Sequence, residues 1–149
     1  MIAGKGKEKN RLEGLIKDYK MEDKVRLIGF QENLLSILKS SDFVIMPSRQ
    51  EGMPNVVMES MALGKPVLAA NVNGVPELID HDVNGYIFEP MKIDAIEDAM
   101  NYAIRHYKSP IVDNWGKKAK DHVRLNFTIE KMLDNLEEYF YFKCENSIR

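Results

Sequence analysis

Five short apolar runs alternate along the chain with segments whose apolar residues recur every three or four positions. A parallel sheet with helical crossovers satisfies that alternation most simply, because each crossover covers a sheet face that would otherwise meet water. The runs are Met1-Ile2-Ala3, Val25 to Phe30, Asp42 to Pro47, Val67 to Val72 and Tyr86-Ile87-Phe88. Proline cannot donate to a strand ladder, so Pro47 stops the third run. Between the runs, Asn10 to Lys20 puts Leu12, Leu15, Ile16 and Tyr19 on one helical stripe, and Leu34, Leu35, Ile37 and Leu38 give a second short helix. Asn55 to Leu63 forms a third, with Pro54 suited to its first turn and with Gly64 and Pro66 ending it.

Gly74 to Ile79 reads as a loop opening a short helix, and Asn84-Gly85 as a turn before Tyr86. Three helices are expected at the end. The first spans Ile93 to His106, with Ile96, Ala99, Met100 and Ala103 inward; the second lies around Trp115 to Val123. The last covers about 128–142, with Thr128 as its cap and Glu130 in its first turn. No internal repeat or low-complexity linker intervenes, so one α/β domain over residues 1–149 is expected. Met1-Ile2-Ala3 runs straight into a glycine turn, as though the chain began in mid-strand.

Composition narrows the function. With 149 residues, 44% of them hydrophobic, the chain can build a core without disulfides or a structural metal. Its one thiol, Cys144, excludes an internal disulfide and every zinc or iron–sulfur scaffold made of cysteines. The 21 basic and 23 acidic residues leave a formal charge of −2, which gives no field to attract a phosphate backbone, so no nucleic-acid partner is expected. No apolar run approaches the roughly 18 residues of a membrane span, and no signal-type segment opens the chain; a cytoplasmic location is expected.

The chemistry gathers in Glu51-Gly-Met-Pro-Asn-Val-Val-Met-Glu59, two carboxylates across a strand-to-helix turn. Glu59 shares a helix face with Asn55 at i, i+4. Between the acids, the first-turn N–H groups of Asn55, Val56 and Val57 lie at the positive end of the helix dipole, where a phosphate is favoured. Each carboxylate can accept two hydroxyl hydrogen bonds from a diol. One acid could hold a sugar and the other a ribose, while the helix end takes a diphosphate. Alone, such a pair is more often just two solvated first-turn acids.

That segment resembles the nucleotide-sugar-binding, C-terminal half of retaining glycosyltransferases of the GT-B fold, specifically family 4. The resemblance runs through Asp42-Phe-Val-Ile-Met-Pro-Ser48, the Glu51–Glu59 pair, Ser60-Met-Ala-Leu-Gly-Lys-Pro-Val67, Asn73-Gly-Val-Pro-Glu77 and Asn84-Gly-Tyr-Ile-Phe88. It continues into the Lys117 to Phe127 stretch and the last helix. It implies a Rossmann-like parallel sheet flanked by helices. It also implies that Glu51, at the catalytic centre, hydrogen-bonds the donor sugar and that Glu59 binds the ribose diol. Met53 and the Asn55–Val56 backbone would lie near the diphosphate, the Gly4-Lys5-Gly6 turn would face the nucleotide, and the backbone of Phe30 and Gln31 would border the base.

The same resemblance implies a UDP-, GDP- or ADP-sugar donor, no metal or other cofactor, and a saccharide or lipid-linked acceptor held by an N-terminal domain. Neither that domain nor the first βα unit, which carries an Arg/Lys diphosphate clamp in the family, is present in this sequence. The isolated chain is therefore expected to be inactive. The alternative is a non-catalytic nucleotide-sugar-binding module that completes its site with a partner chain.

Other motifs carry less. Gly4-Lys5-Gly6 lacks a third glycine at the dinucleotide spacing, and Gly64-Lys65 lacks the Ser/Thr of a P-loop. Asp80-His81-Asp82 mimics an Asp-x-Asp metal motif but precedes a turn and reads as a solvated loop. His81, His106 and His122 have no zinc-type spacing, and the last two are expected at the surface. Met58, Met61 and Met100 are expected to fill core gaps. Lys117, Lys118, Lys120 and Arg124 make a basic helix face of the kind that touches anionic membranes, although a solvated face is the simpler reading.

Overall fold

A strand buried on both faces must lie inside a sheet and be covered on both sides. β4 (Val67–Ala70) has this character, with all four residues buried. In the computed structural model, which describes residues 1–147, it is the middle strand of a three-stranded parallel sheet. β3 (Val44–Met46) pairs on one side, Ile45 opposite Leu68, and β5 (Tyr86–Phe88) on the other, Leu68 opposite Tyr86. A separate two-stranded parallel sheet joins β1 (Ile2–Ala3) to β2 (Leu27–Gly29). Every pairing is parallel, as the alternation requires.

Internal contacts gather into two compact units, Met1–Ile37 and the residues from Leu38 onward, each with its own sheet. The first holds β1, α1 (Lys9–Asp18) and β2; the division falls within α2 (Leu34–Ser40). The second holds β3, α3 (Asn55–Ala62), β4, α4 (Val75–Leu78), β5, α5 (Ile93–Arg105), α6 (Pro110–Asn126) and α7 (Ile129–Ser147).

The principal core lies in the second unit. From α3, Val57, Ser60 and Met61 are buried against α6, whose buried face is Val112, Trp115, Gly116, Ala119 and Val123. Two glycines permit that approach: a Cβ on Gly116 would stand 2.3 Å from the Gly64 carbonyl oxygen, and Gly64 itself is left-handed at φ +70°. The polar side chains in this core are paired. The Ser60 hydroxyl donates to the Val56 carbonyl at 2.6 Å, and the Trp115 indole N–H donates to the Asp82 carbonyl at 3.1 Å. Asn84, 2% exposed, accepts the Asp80 N–H at 2.8 Å and donates to the Leu78 carbonyl at 3.2 Å. This residue therefore builds the turn before β5 from inside.

Several expectations need correction. β3 is shorter than the Asp42–Pro47 run, and only Met46 is buried, Ile45 being 37% exposed because it stands near the sheet's edge. Pro54 sits just ahead of α3 in extended conformation, as its N-cap. Met100 is 45% exposed, since the small Ala99 and Ala103 make the close contact of α5 instead. α6 begins five residues before Trp115 because Pro110 opens it at a first-turn position, where its missing N–H costs nothing. His106 and His122 are half-buried: His106 stacks on Tyr102 at 4.2 Å, and His122 meets the Glu77 carbonyl at 3.3 Å.

Thr128 caps α7 as expected, accepting the Lys131 N–H at 3.1 Å. The Glu130 carboxyl is lowered from its ordinary value, first by its own backbone N–H and then by the Thr128 hydroxyl.

The helix contact yields a test. Replacing Gly116 with Ala forces a methyl group onto a main-chain oxygen, and overpacking of that kind costs about 1–3 kcal/mol. Urea unfolding should show that loss for Gly116→Ala and almost none for Gly52→Ala, where an added Cβ meets open space.

Candidate functional site

In sheets built this way, ligands bind beyond the carboxyl ends of parallel strands, where the loops converge on helix N-termini. Both units present sequence-selected residues there.

In the second unit, the loop after β3 carries Glu51, Gly52 and Met53 into α3. The loop after the neighbouring β4 holds it in place. The Gly74 N–H donates to the Gly52 carbonyl at 3.1 Å, and a Cβ on Gly74 would lie 2.4 Å from that oxygen. Asn73, at φ +33°, turns the chain so that the amide can point there. The sequence marks Asn73-Gly74 as part of a motif but gives no sign of this partner, which lies 22 residues away. A glycine after a residue able to take positive φ was the available signal.

α3 opens without a side-chain cap, since Pro54 has none to offer. Its first-turn amides therefore need other acceptors. The Val57 N–H finds one in the Pro54 carbonyl at 3.0 Å, which corrects the expectation that three amides are free. Among the described residues, the Asn55 and Val56 N–H groups have no protein acceptor. They point outward at the positive end of the helix dipole. Glu51 is half-buried in the preceding loop, and Glu59 is exposed on the second turn of α3. Neither carboxylate takes part in an ion pair or hydrogen bond among the described residues.

Met53, 39% exposed, lines a different groove of about 500 Å³, shared with Met58, Phe127, Ile129, Met132 and Leu136. Neither glutamate lines it.

In the first unit, β1 and β2 end at glycines with positive φ, Gly4 at +128° and Gly29 at +67°. The Gly4 N–H donates to the Gly29 carbonyl at 2.8 Å. Past these ends opens a cleft of about 490 Å³, lined by Gly4, Lys5, Gly6, Glu8, Lys9 and Phe30 among others. The Lys5 ammonium lies 5.1 Å from the centre of the Phe30 ring, and that ring is 61% exposed. At such a site a cation–π contact contributes about 0.5–1 kcal/mol. Gln31 does not join the cleft: its side-chain amide donates back to the Ile28 carbonyl, so only its backbone is left for a ligand.

Among the described residues no group of three or more His, Cys, Asp or Glu is placed to hold a metal ion, and Asp80, His81 and Asp82 lie exposed in their turn. No helix among them is long and apolar enough to cross a membrane. Lys117, Lys118, Lys120 and Arg124 are exposed on α6.

Comparison with known proteins adds to this geometry. The family model described as glycosyl transferases group 1 matches residues 1–122. The chain is 31% identical over 142 residues to the N-acetyl-alpha-D-glucosaminyl L-malate synthase of Bacillus anthracis, covering 95% of this chain and 36% of that protein. It is 26% identical over 141 residues to the UDP-Gal:alpha-D-GlcNAc-diphosphoundecaprenol alpha-1,3-galactosyltransferase of Escherichia coli, covering 94% and 36%. The chain thus spans about a third of the length of these curated relatives. Among solved structures, the C-terminal domain of a group 1 glycosyl transferase (LpcC) from Francisella tularensis aligns with a TM-score of 0.73 at 27% identity, covering 81% of this chain and 63% of that one. The parallel, helix-flanked α/β architecture matches that of GT-B glycosyltransferases.

The loop anchor is open to direct test. In Gly74→Ala the new methyl must displace the Gly52 carbonyl, so amide hydrogen exchange should quicken across residues 51–53 while β4 keeps its protection. Unchanged exchange in that loop would show that the contact does not hold it.

Proposed function

The chain belongs to the group 1 glycosyl transferases, and from that premise we propose that it binds the nucleotide-sugar donor of a retaining family 4 enzyme, as that enzyme's C-terminal half. One observation carries the reading. Two unpartnered amides, those of Asn55 and Val56, lie in sequence between two unpaired carboxylates, those of Glu51 and Glu59.

Each part suits a part of the donor. The amides donate to diphosphate oxygens, and the helix dipole favours the same charge. Glu59 accepts from the two ribose hydroxyls, and Glu51 accepts from hydroxyls of the sugar being transferred. The name of the Escherichia coli relative, a galactosyltransferase using UDP-Gal, supports a uridine nucleotide as the first donor to try. The solved C-terminal domain from Francisella tularensis supports the C-terminal assignment.

The chemistry follows from placing charge where it develops. As the bond from the sugar's anomeric carbon to the diphosphate oxygen breaks, its electron pair passes to the diphosphate, which the Asn55 and Val56 amides stabilise. The acceptor hydroxyl bonds to the same face of that carbon and gives its proton to the departing phosphate. Retention results, and no step requires a metal. The acceptor is a saccharide or lipid-linked saccharide; the lipid carrier in the name of the Escherichia coli relative agrees with the second. By itself, this chain is expected to bind donor without transferring sugar.

Calorimetry with UDP tests the assignment. Removing a hydrogen bond to a charged group costs about 1.5–3 kcal/mol, so Glu59→Ala should weaken UDP binding by that amount and Glu51→Ala should leave it nearly unchanged. With a UDP-sugar in place of UDP, Glu51→Ala should also weaken binding. Equal affinity of wild type and Glu59→Ala for UDP would remove Glu59 from the ribose.

A further inference from the structure

Every residue of α7 from Ile129 to Cys144 is exposed, yet the helix is built to bury one face. Ile129, Met132, Leu133, Leu136, Tyr139 and Phe140 recur at helical spacing and form one stripe. They are between 45% and 71% exposed. Ile129, Met132 and Leu136 also line the groove of about 500 Å³ shared with Met53, Met58 and Phe127. A continuous apolar face of this kind marks an interaction surface.

From this face we propose that two copies of the chain associate in solution through α7, the helices running antiparallel and crossing at Leu136 on a two-fold axis. The stripe is complementary to itself in that register. Leu136 meets Leu136 of the second copy, Met132 meets Phe140 and Leu133 meets Tyr139, so apolar positions face apolar positions throughout. At the ends, Ile129 and Glu130 meet Lys143, whose ammonium lies 5.6 Å from the centre of the Tyr139 ring and so stands over the stripe. Each helix thereby brings a cation to the other's first-turn acid, twice by symmetry. Parallel pairing would set Glu130 against Glu130 and Lys143 against Lys143 instead. Half-exposed side chains of this size offer on the order of 100 Å² each, so the six supply most of the roughly 800 Å² per partner that a stable interface buries. The groove beside Met132 receives the second copy's Phe140. An anionic membrane suits the face less well, because from Ile129 to Cys144 the acids Glu130, Asp134, Glu137 and Glu138 outnumber Lys131 and Lys143.

Sedimentation equilibrium of the full chain at tens of micromolar should give twice the chain mass and fall to the monomer on dilution. Leu136→Asp should fold with unchanged circular dichroism, its position being 45% exposed, and stay monomeric at every concentration. Glu130→Lys should weaken the dimer about tenfold, since two exposed charge pairs are lost together, and adding Lys143→Glu should restore it. A wild-type chain that remains monomeric overturns the association, whether or not it sediments with phosphatidylcholine–phosphatidylglycerol vesicles. A dimer that survives Leu136→Asp overturns the choice of α7, and a Glu130→Lys loss that Lys143→Glu does not rescue overturns the antiparallel register.

Discussion

Four consecutive residues without a polar side chain, Val67 to Ala70, decide most of this structure. A strand so apolar cannot face water on either side, so it must be paired along both edges and covered above and below. β3 and β5 supply the edges; α3 packs on β3 and β4, and α5 on β5, while α6 backs α3. Parallel pairing then places the loops after β3 and β4 beside each other at one end. The acid-bearing loop and the Asn73-Gly74 turn meet because their strands are neighbours, and α3 starts where it does because β3 must cross back to reach β4. The position of the candidate site is thus a by-product of burying one strand.

Much of this was legible in the residues. Strand positions follow from short β-branched and apolar runs, and β5 was bounded to the residue because a turn on one side and charge on the other enclose it. Helix α3 was likewise bounded by Pro54 and Gly64. Misreadings fell where tertiary contact overrides local pattern. Met100 lies on the apolar stripe of α5, yet two alanines bring the helix too close for it to turn inward. Trp115 marked α6 but not its start, since the five residues before it carry no clear period. The Thr128 cap was readable because capping depends only on residues a turn apart.

The candidate site divides along the same line. That two carboxylates bracket a helix start is a statement about spacing, and spacing can be read directly. Which amides stay free is different: Val57 lost its place because the Pro54 carbonyl turns inward and accepts its N–H, a detail of one ψ angle. Met53 and Gln31 illustrate the same limit. Met53 lines a second groove that neither glutamate reaches, and the Gln31 side chain folds back on its own strand. Side-chain direction in a loop is set by neighbours distant in sequence, and no periodicity encodes it.

The tie between Gly52 and Gly74 is made by main-chain atoms on both sides. Drift in the side chains at positions 51 and 53 therefore leaves the tether untouched. A lineage can exchange the group that grips a substrate while inheriting the same scaffold, so new preferences can arise by single steps without dismantling the loop that displays them. Only position 74 is closed to such exploration, because there the side chain itself is what the architecture forbids.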